Sequence, residues 1–120
     1  MITQLHHVQL AMPVGQEHLA IRFYSNLLGL DIEPKPDVLA KRGGVWFRLG
    51  EVRVHLGAEE PFVPAKKAHP AFLCHDLDVL AQTLKSAKFH VHWDEKLSGF
   101  KRFYTADPFG NRIEFLRPAT

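Results

Sequence analysis

Leu5-His-His-Val-Gln-Leu-Ala11 and Ala68-His-Pro-Ala-Phe-Leu73 each set a histidine, His7 or His69, in a short run that reads as a β-strand. Each half then ends on a strand carrying another metal-type group. These are His55 in Val52-Arg-Val-His-Leu56 and Glu114 in Asn111-Arg-Ile-Glu-Phe-Leu116. A separation of 48 residues divides His7 from His55, and 45 divide His69 from Glu114. The chain therefore reads as an internal repeat. Two or three histidines with one carboxylate form a first shell for a divalent metal ion.

Working outward, the first half predicts a strand over Gln4–Ala11 and a break at Pro13-Val14-Gly15. A helix follows to about Leu28, with Leu19, Phe23 and Leu27 on one face and Gly29 as its left-handed stop. Leu30–Glu33 reads as a short strand. Val45–Leu49 and Val52–Leu56 read as a hairpin across Gly50-Glu51. The second half repeats the order. It has a strand over Ala68–Cys74, a helix capped by Asp76 with Leu77, Leu80, Ala81 and Leu84 inward, and a strand at His90–Trp93. A hairpin of Arg102–Ala106 and Arg112–Arg117 then turns at Asp107-Pro-Phe-Gly110. Each half is a β-α-β-β-β module, the first over about 1–60 and the second over about 66–118, joined at Pro61–Lys67. The fold class expected is α+β, one domain of two such modules.

Strand alternation assigns the faces. The parity that sends Val8, Leu10, Val54, Phe72 and Phe115 towards the helices sends His7, His55, His69 and Glu114 to the opposite face. Any one of these alone reads as a polar residue on a solvated strand. Glu114 resists that reading because Ile113, Phe115 and Leu116 make its strand a core strand, where an unpaired carboxylate is costly. His55 reads equally as a fourth ligand or as a neighbour of the site. Arg48, Arg53, Arg112 and Trp46 share this parity and are candidates to line a substrate cleft, the arginines as clamps for an anion or enolate. The competing reading makes the arginines ordinary strand-end charges. Tyr104 and Gln9 lie on the same face as candidate hydrogen-bonding groups. His6 falls on the other face, and Cys74 reads as an inert thiol on the helix side.

Composition narrows the function classes. The 120 residues suit one domain, and 46% of them are hydrophobic. The net charge of +2 comes from 15 basic and 13 acidic residues that are interspersed, which is no nucleic-acid footprint. No apolar run reaches the ~20 residues of a membrane helix, and the amino terminus has no signal-peptide pattern. A single cysteine cannot form a disulfide within the chain, which points to the cytoplasm.

Three stretches carry a family resemblance: Leu5-His-His-Val-Gln-Leu10, Phe23-Tyr-Ser-Asn-Leu-Leu-Gly-Leu30 and Phe103-Tyr-Thr-Ala-Asp-Pro-Phe-Gly-Asn-Arg-Ile-Glu114. The chain resembles the vicinal oxygen chelate superfamily, which includes glyoxalase I, fosfomycin- and bleomycin-resistance proteins and extradiol dioxygenases. The resemblance implies paired βαβββ modules around a metal cleft, with ligands at His7, His69 and Glu114. It also implies a homodimer that shares its clefts between chains. A fourth glyoxalase ligand, usually glutamate, falls on His55, so the chain departs from the pattern there.

These readings predict a metal-dependent lyase or isomerase of glyoxalase type. One divalent ion per site (zinc, nickel, manganese, cobalt or iron) would chelate two neighbouring oxygens of a small substrate. Glu114, Tyr104 and Gln9 are the candidate catalytic groups. The alternatives are an Fe(II) dioxygenase, a fosfomycin- or bleomycin-resistance-like protein, or a metal-free binding module lined by Trp46, Trp93 and Phe100. No nucleic acid and no membrane is expected as a partner.

Overall fold

In the computed structural model, which describes residues 1–120, the chain divides into two units, Met1–Pro64 and Ala65–Thr120. The first contains β1 (Val8–Pro13), α1 (Glu17–Ala20) running directly into a π-helical segment (Ile21–Leu27), β2 (Asp31–Glu33), α2 (Asp37–Ala40), β3 (Val45–Leu49) and β4 (Val52–Glu59). The second contains β5 (Ala71–Leu73), α3 (Leu77–Ser86), β6 (His92–Asp94), β7 (Phe100–Ala106) and β8 (Arg112–Pro118). The sheets have orders β1-β4-β3-β2 and β5-β8-β7-β6. In each, the first strand runs parallel to the last and the other pairings are antiparallel. The fold is α+β, with two four-stranded mixed sheets built on one β-α-β-β-β plan.

Alternation along the strands sorts the faces as the sequence predicts. Phe47 of β3 is buried against the helix, its ring stacked 5.4 Å from that of Tyr24. Met12, Phe23, Val54 and Leu56 complete this core. In the second unit Leu77, Ala81 and Leu84 of α3 are buried with Phe103, Ile113 and Phe115. Trp93 and Phe72 extend that cluster, with ring centroids 5.1 Å from Phe103 and 5.8 Å from Phe115.

Several local expectations change, and the strand expected over Ala68–Cys74 shortens to Ala71–Leu73. The first strand starts at Val8 rather than Gln4: pairing begins at Val8 opposite Val54, and β4, which starts at Val52, does not extend far enough to face Gln4 and Leu5. His6, which parity places on the helix side, is exposed, with its Nδ1 3.0 Å from His7 Nδ1. The helical face is Ala20, Phe23 and Tyr24 instead of Leu19, Phe23 and Leu27. A π-helical turn takes more residues than an α-turn, so a spacing of four drifts off the buried face. This segment closes with Leu28 N–H donating to Phe23 O and Leu30 N–H to Tyr24 O, both 3.0 Å, around Gly29 at φ +82°. Asp76 occupies the N-cap position of α3 but makes no side-chain capping bond. The one-turn α2 lies where the sequence predicts only a loop.

Candidate metal and substrate site

The register aligns the modules residue by residue on the face away from the helices. In the first, Gln9 of β1 and Trp46 of β3 flank His55 of β4. In the second, Ala71 of β5 and Tyr104 of β7 flank Glu114 of β8. His55 thus corresponds to Glu114, and Trp46 to Tyr104. His7 and His69 both lie just before the first strand of their sheet, where the chain is free of the full ladder.

In the first unit three rings form one stack. His55 lies between His7, at 4.2 Å, and Trp46, at 4.0 Å with a 5° interplanar angle. His55 is buried, and its Nε2 has no hydrogen-bond partner. Burial, and then the neighbouring His7, pull its pKa below the ordinary 6.5. A neutral imidazole with an unspent ring nitrogen is suited to metal ligation. His7 is exposed, and its Nδ1 lies 3.0 Å from Nδ1 of His6.

The second unit holds Glu114 from two sides. Its Oε1 lies 3.0 Å from His69 Nε2, and its Oε2 accepts a bond from Arg102 at 3.3 Å. Arg102 also donates to Asp94 at 3.1 Å. His69 Nδ1 lies 2.9 Å from the carbonyl of Lys67. That carbonyl can only accept, so Nδ1 carries a proton there. Nε2 and Oε1 at 3.0 Å then share a proton held by one of the two groups, or a cation between them. A backbone carbonyl on the remote nitrogen is the usual support of a metal-binding histidine. Histidine nitrogen and carboxylate oxygen are donors of the kind a divalent metal takes. No three His, Cys, Asp or Glu side chains gather in the structure in a group that could hold such an ion. His7 and His55 belong to the first unit, His69 and Glu114 to the second.

The other predicted residues divide. Arg112 lies over the ring of Tyr104 at 4.0 Å, and His69 meets that ring edge-on at 5.3 Å. Arg53 is mostly buried, donates to His6 O at 3.3 Å and lies 3.7 Å from Glu51. Arg48 is exposed and occupied by Glu33 at 3.7 Å and the Gly50 carbonyl at 3.0 Å, so it touches none of the ligand-type residues. Cys74 is half-buried on the helix side, and burial pushes its thiol pKa up, consistent with an inert group. Sequence reasoning passed over Arg102 and Asp94. The signal was available, since Arg102 stands two residues from Tyr104 on the same face.

Comparison with known proteins agrees with this architecture. The family model of the Glyoxalase/Bleomycin resistance protein/Dioxygenase superfamily matches residues 4–115. A glyoxalase family protein from Bacillus anthracis has a crystal structure with a TM-score of 0.94 and 45% identity, covering 98% of this chain and 97% of that one. TnmS3, an antibiotic binding protein from Streptomyces sp. CB03234, aligns at a TM-score of 0.74 and 19% identity over 99% of this chain and 100% of its own. The fosfomycin resistance protein FosX from Listeria monocytogenes aligns at 0.76 and 14% identity over 97% and 93%. At such identities the last two establish the fold alone. No curated protein matches the chain. No helix is long and apolar enough to cross a membrane. The match over nearly the whole chain, with the repeated module and its register, makes this protein a member of the Glyoxalase/Bleomycin resistance protein/Dioxygenase superfamily.

Proposed function

We propose that the chain is a cytoplasmic, homodimeric, metal-dependent enzyme of glyoxalase type, a lyase or isomerase acting on a small substrate with two neighbouring oxygens. His7, His69 and Glu114 hold one divalent ion, with His55 beside it or coordinating. The two half-sets stand in different units, so a complete shell requires both modules, from one chain or from two copies. The observation that carries this reading is the His69–Glu114 pair, 3.0 Å apart with the remote His69 nitrogen fixed on Lys67 O.

When bound, the ion supplies Lewis-acid stabilisation of charge that develops on the substrate oxygens. The chain's own groups do the rest. Arg102 holds Oε2 of Glu114 and so aims the carboxylate, whose Oε1, on leaving the ion, would take a proton from the substrate carbon beside the two oxygens and return it to the substrate. Tyr104, steadied by Arg112 over its ring, donates its hydroxyl to a substrate oxygen. Gln9, beside His55 in the register, offers an amide to the same molecule. Arg53 and Trp46 line the substrate side, and Arg48 lies at its margin.

The test is metal content by mass spectrometry on untagged protein, followed by calorimetry with acetohydroxamate, a ligand offering two neighbouring oxygens. About one nickel, zinc, manganese or cobalt per site, and hydroxamate binding that disappears with Glu114→Gln, are expected. Iron at that level would move the reading to an Fe(II) dioxygenase. Protein that neither retains nor regains metal would overturn the enzyme reading. It would leave a metal-free binding module, for which Trp46, stacked on His55, offers an aromatic wall.

A further inference from the structure

We propose that a cavity beside Trp46 in the first unit is an oxyanion subsite, where Lys35 and Arg42 hold the carboxylate or phosphate head of the substrate. The word substrate rests on the proposed function; the anion affinity of the cavity does not. The cavity has a volume of about 160 Å³, and its walls include Gln9, Lys35, Leu39, Arg42, Trp46 and Gly57. Ligand pockets for whole small molecules run to roughly 300–1,000 Å³. A space this small takes a head group.

Basic charge predominates around it, with Lys35 and Arg42 in its walls. No Asp or Glu lines the cavity. One carboxylate borders it: Glu17 Oε2 accepts the Gly44 N–H at 2.9 Å and lies 3.3 Å from where a Cβ on Gly43, a wall residue, would stand, while Glu33 pairs with Arg48 at 3.7 Å. Lys35 Nζ donates to the Gly43 carbonyl, which anchors the ammonium on the cavity wall and leaves it two further protons to donate. Arg42 is exposed and makes no ion pair, so its fork of five N–H donors is available to two oxygens at once. A Cβ on Gly57 would meet Gln9 Nε2 at 2.8 Å, so the amide lies directly on bare backbone. Gln9 and Trp46 both flank His55 in the register. A molecule with its head in this cavity therefore continues along the His55 row, where the reacting end is proposed to lie. The arrangement selects a small substrate with an anionic group at one end over a neutral one.

Inorganic phosphate is the probe. Trp93→Phe leaves Trp46 as the sole tryptophan, and phosphate is titrated against its fluorescence at constant ionic strength. A saturable change is expected. Arg42→Gln and Lys35→Gln should each weaken it about tenfold, whereas Arg22→Gln, on the helix, should not. Arg42→Gln tests the idea without touching any bond of the fold, and circular dichroism monitors folding in all variants. No saturable response, or equal weakening by Arg22→Gln, overturns the subsite. Because the readout needs no metal, phosphate binding by protein that never takes up metal would keep the subsite and sink the proposed enzyme. Metal-loaded protein blind to phosphate would do the reverse.

Discussion

His55 is where the site's chemistry and the stability of its module oppose one another. Its ring packs between His7 and Trp46, yet its buried Nε2 goes unsatisfied. An unmade hydrogen bond at a buried polar atom costs about 1–3 kcal/mol. His55→Phe keeps the stack and removes that atom. The expected result is unchanged or higher stability, by up to about 1 kcal/mol, with reduced metal retention. Urea unfolding showing a loss larger than that gain would mean Nε2 is satisfied after all. The pH dependence follows from the lowered pKa. The unfolded chain protonates His55 at its ordinary value, while the folded chain resists until a lower pH. The folded state thus keeps its full stability above about pH 6.5 and loses stability as the pH falls from there through the folded pKa. Thermal melts at pH 7.5, 6.5 and 5.5 should show this slope in the natural protein and a smaller one in His55→Phe.

At the scale of elements, two short connections set the registers that form the site. The β7–β8 turn is tied by Asp107, which is buried. Its carboxylate accepts from the N–H groups of Phe109 and Asn111 at 2.9 Å and from the Asn111 amide at 3.0 Å. That turn fixes Tyr104 opposite Glu114. Asp107→Ala strands these donors, and a loss of about 2–4 kcal/mol is expected in denaturant unfolding. A loss under about 1 kcal/mol would show that the strands alone hold the register. Gly44 leads into β3 at φ +86°, where a Cβ would come 2.0 Å from Leu56 O. Gly29 has a similar φ of +82° with nothing within 4 Å. Gly29→Ala should therefore cost only the conformational penalty, about 1 kcal/mol. Gly44→Ala must also displace β4 and should cost at least about 3 kcal/mol or fail to fold. Equal melting temperatures for the two variants would contradict the close approach.

For the molecule as a whole, each unit buries its own core but carries only half of the ligand-type groups. The proposed metal, bound by folded protein alone, would add to its stability by mass action. With nickel or zinc at about 100 times its Kd, the gain is roughly 2.7 kcal/mol, or some 5 °C or more in Tm. Glu114→Gln should largely abolish that rise. Sedimentation should report twice the 13.7 kDa chain mass for the expected homodimer. A monomer that still takes up one metal per chain would place the whole shell within one copy.

What the sequence determined by itself is the repeated module, the faces of its strands and the hairpin turns. All of these are local or periodic properties: the two-residue alternation, glycine as a left-handed stop, and Pro and Gly at a turn. His55 and Glu114 were assigned to one kind of face on that ground alone. The tertiary structure decided which groups meet. The π-helical winding chose Ala20, Phe23 and Tyr24 over the four-residue pattern, because packing against Phe47 outweighs propensity. Arg102 reaches Glu114 because the β7–β8 register and a long flexible side chain bring them together, and Arg48 turns to Glu33 for the same kind of reason. Parity gives the face of a side chain, whereas its partner depends on register, reach and neighbouring charges from strands far apart in sequence.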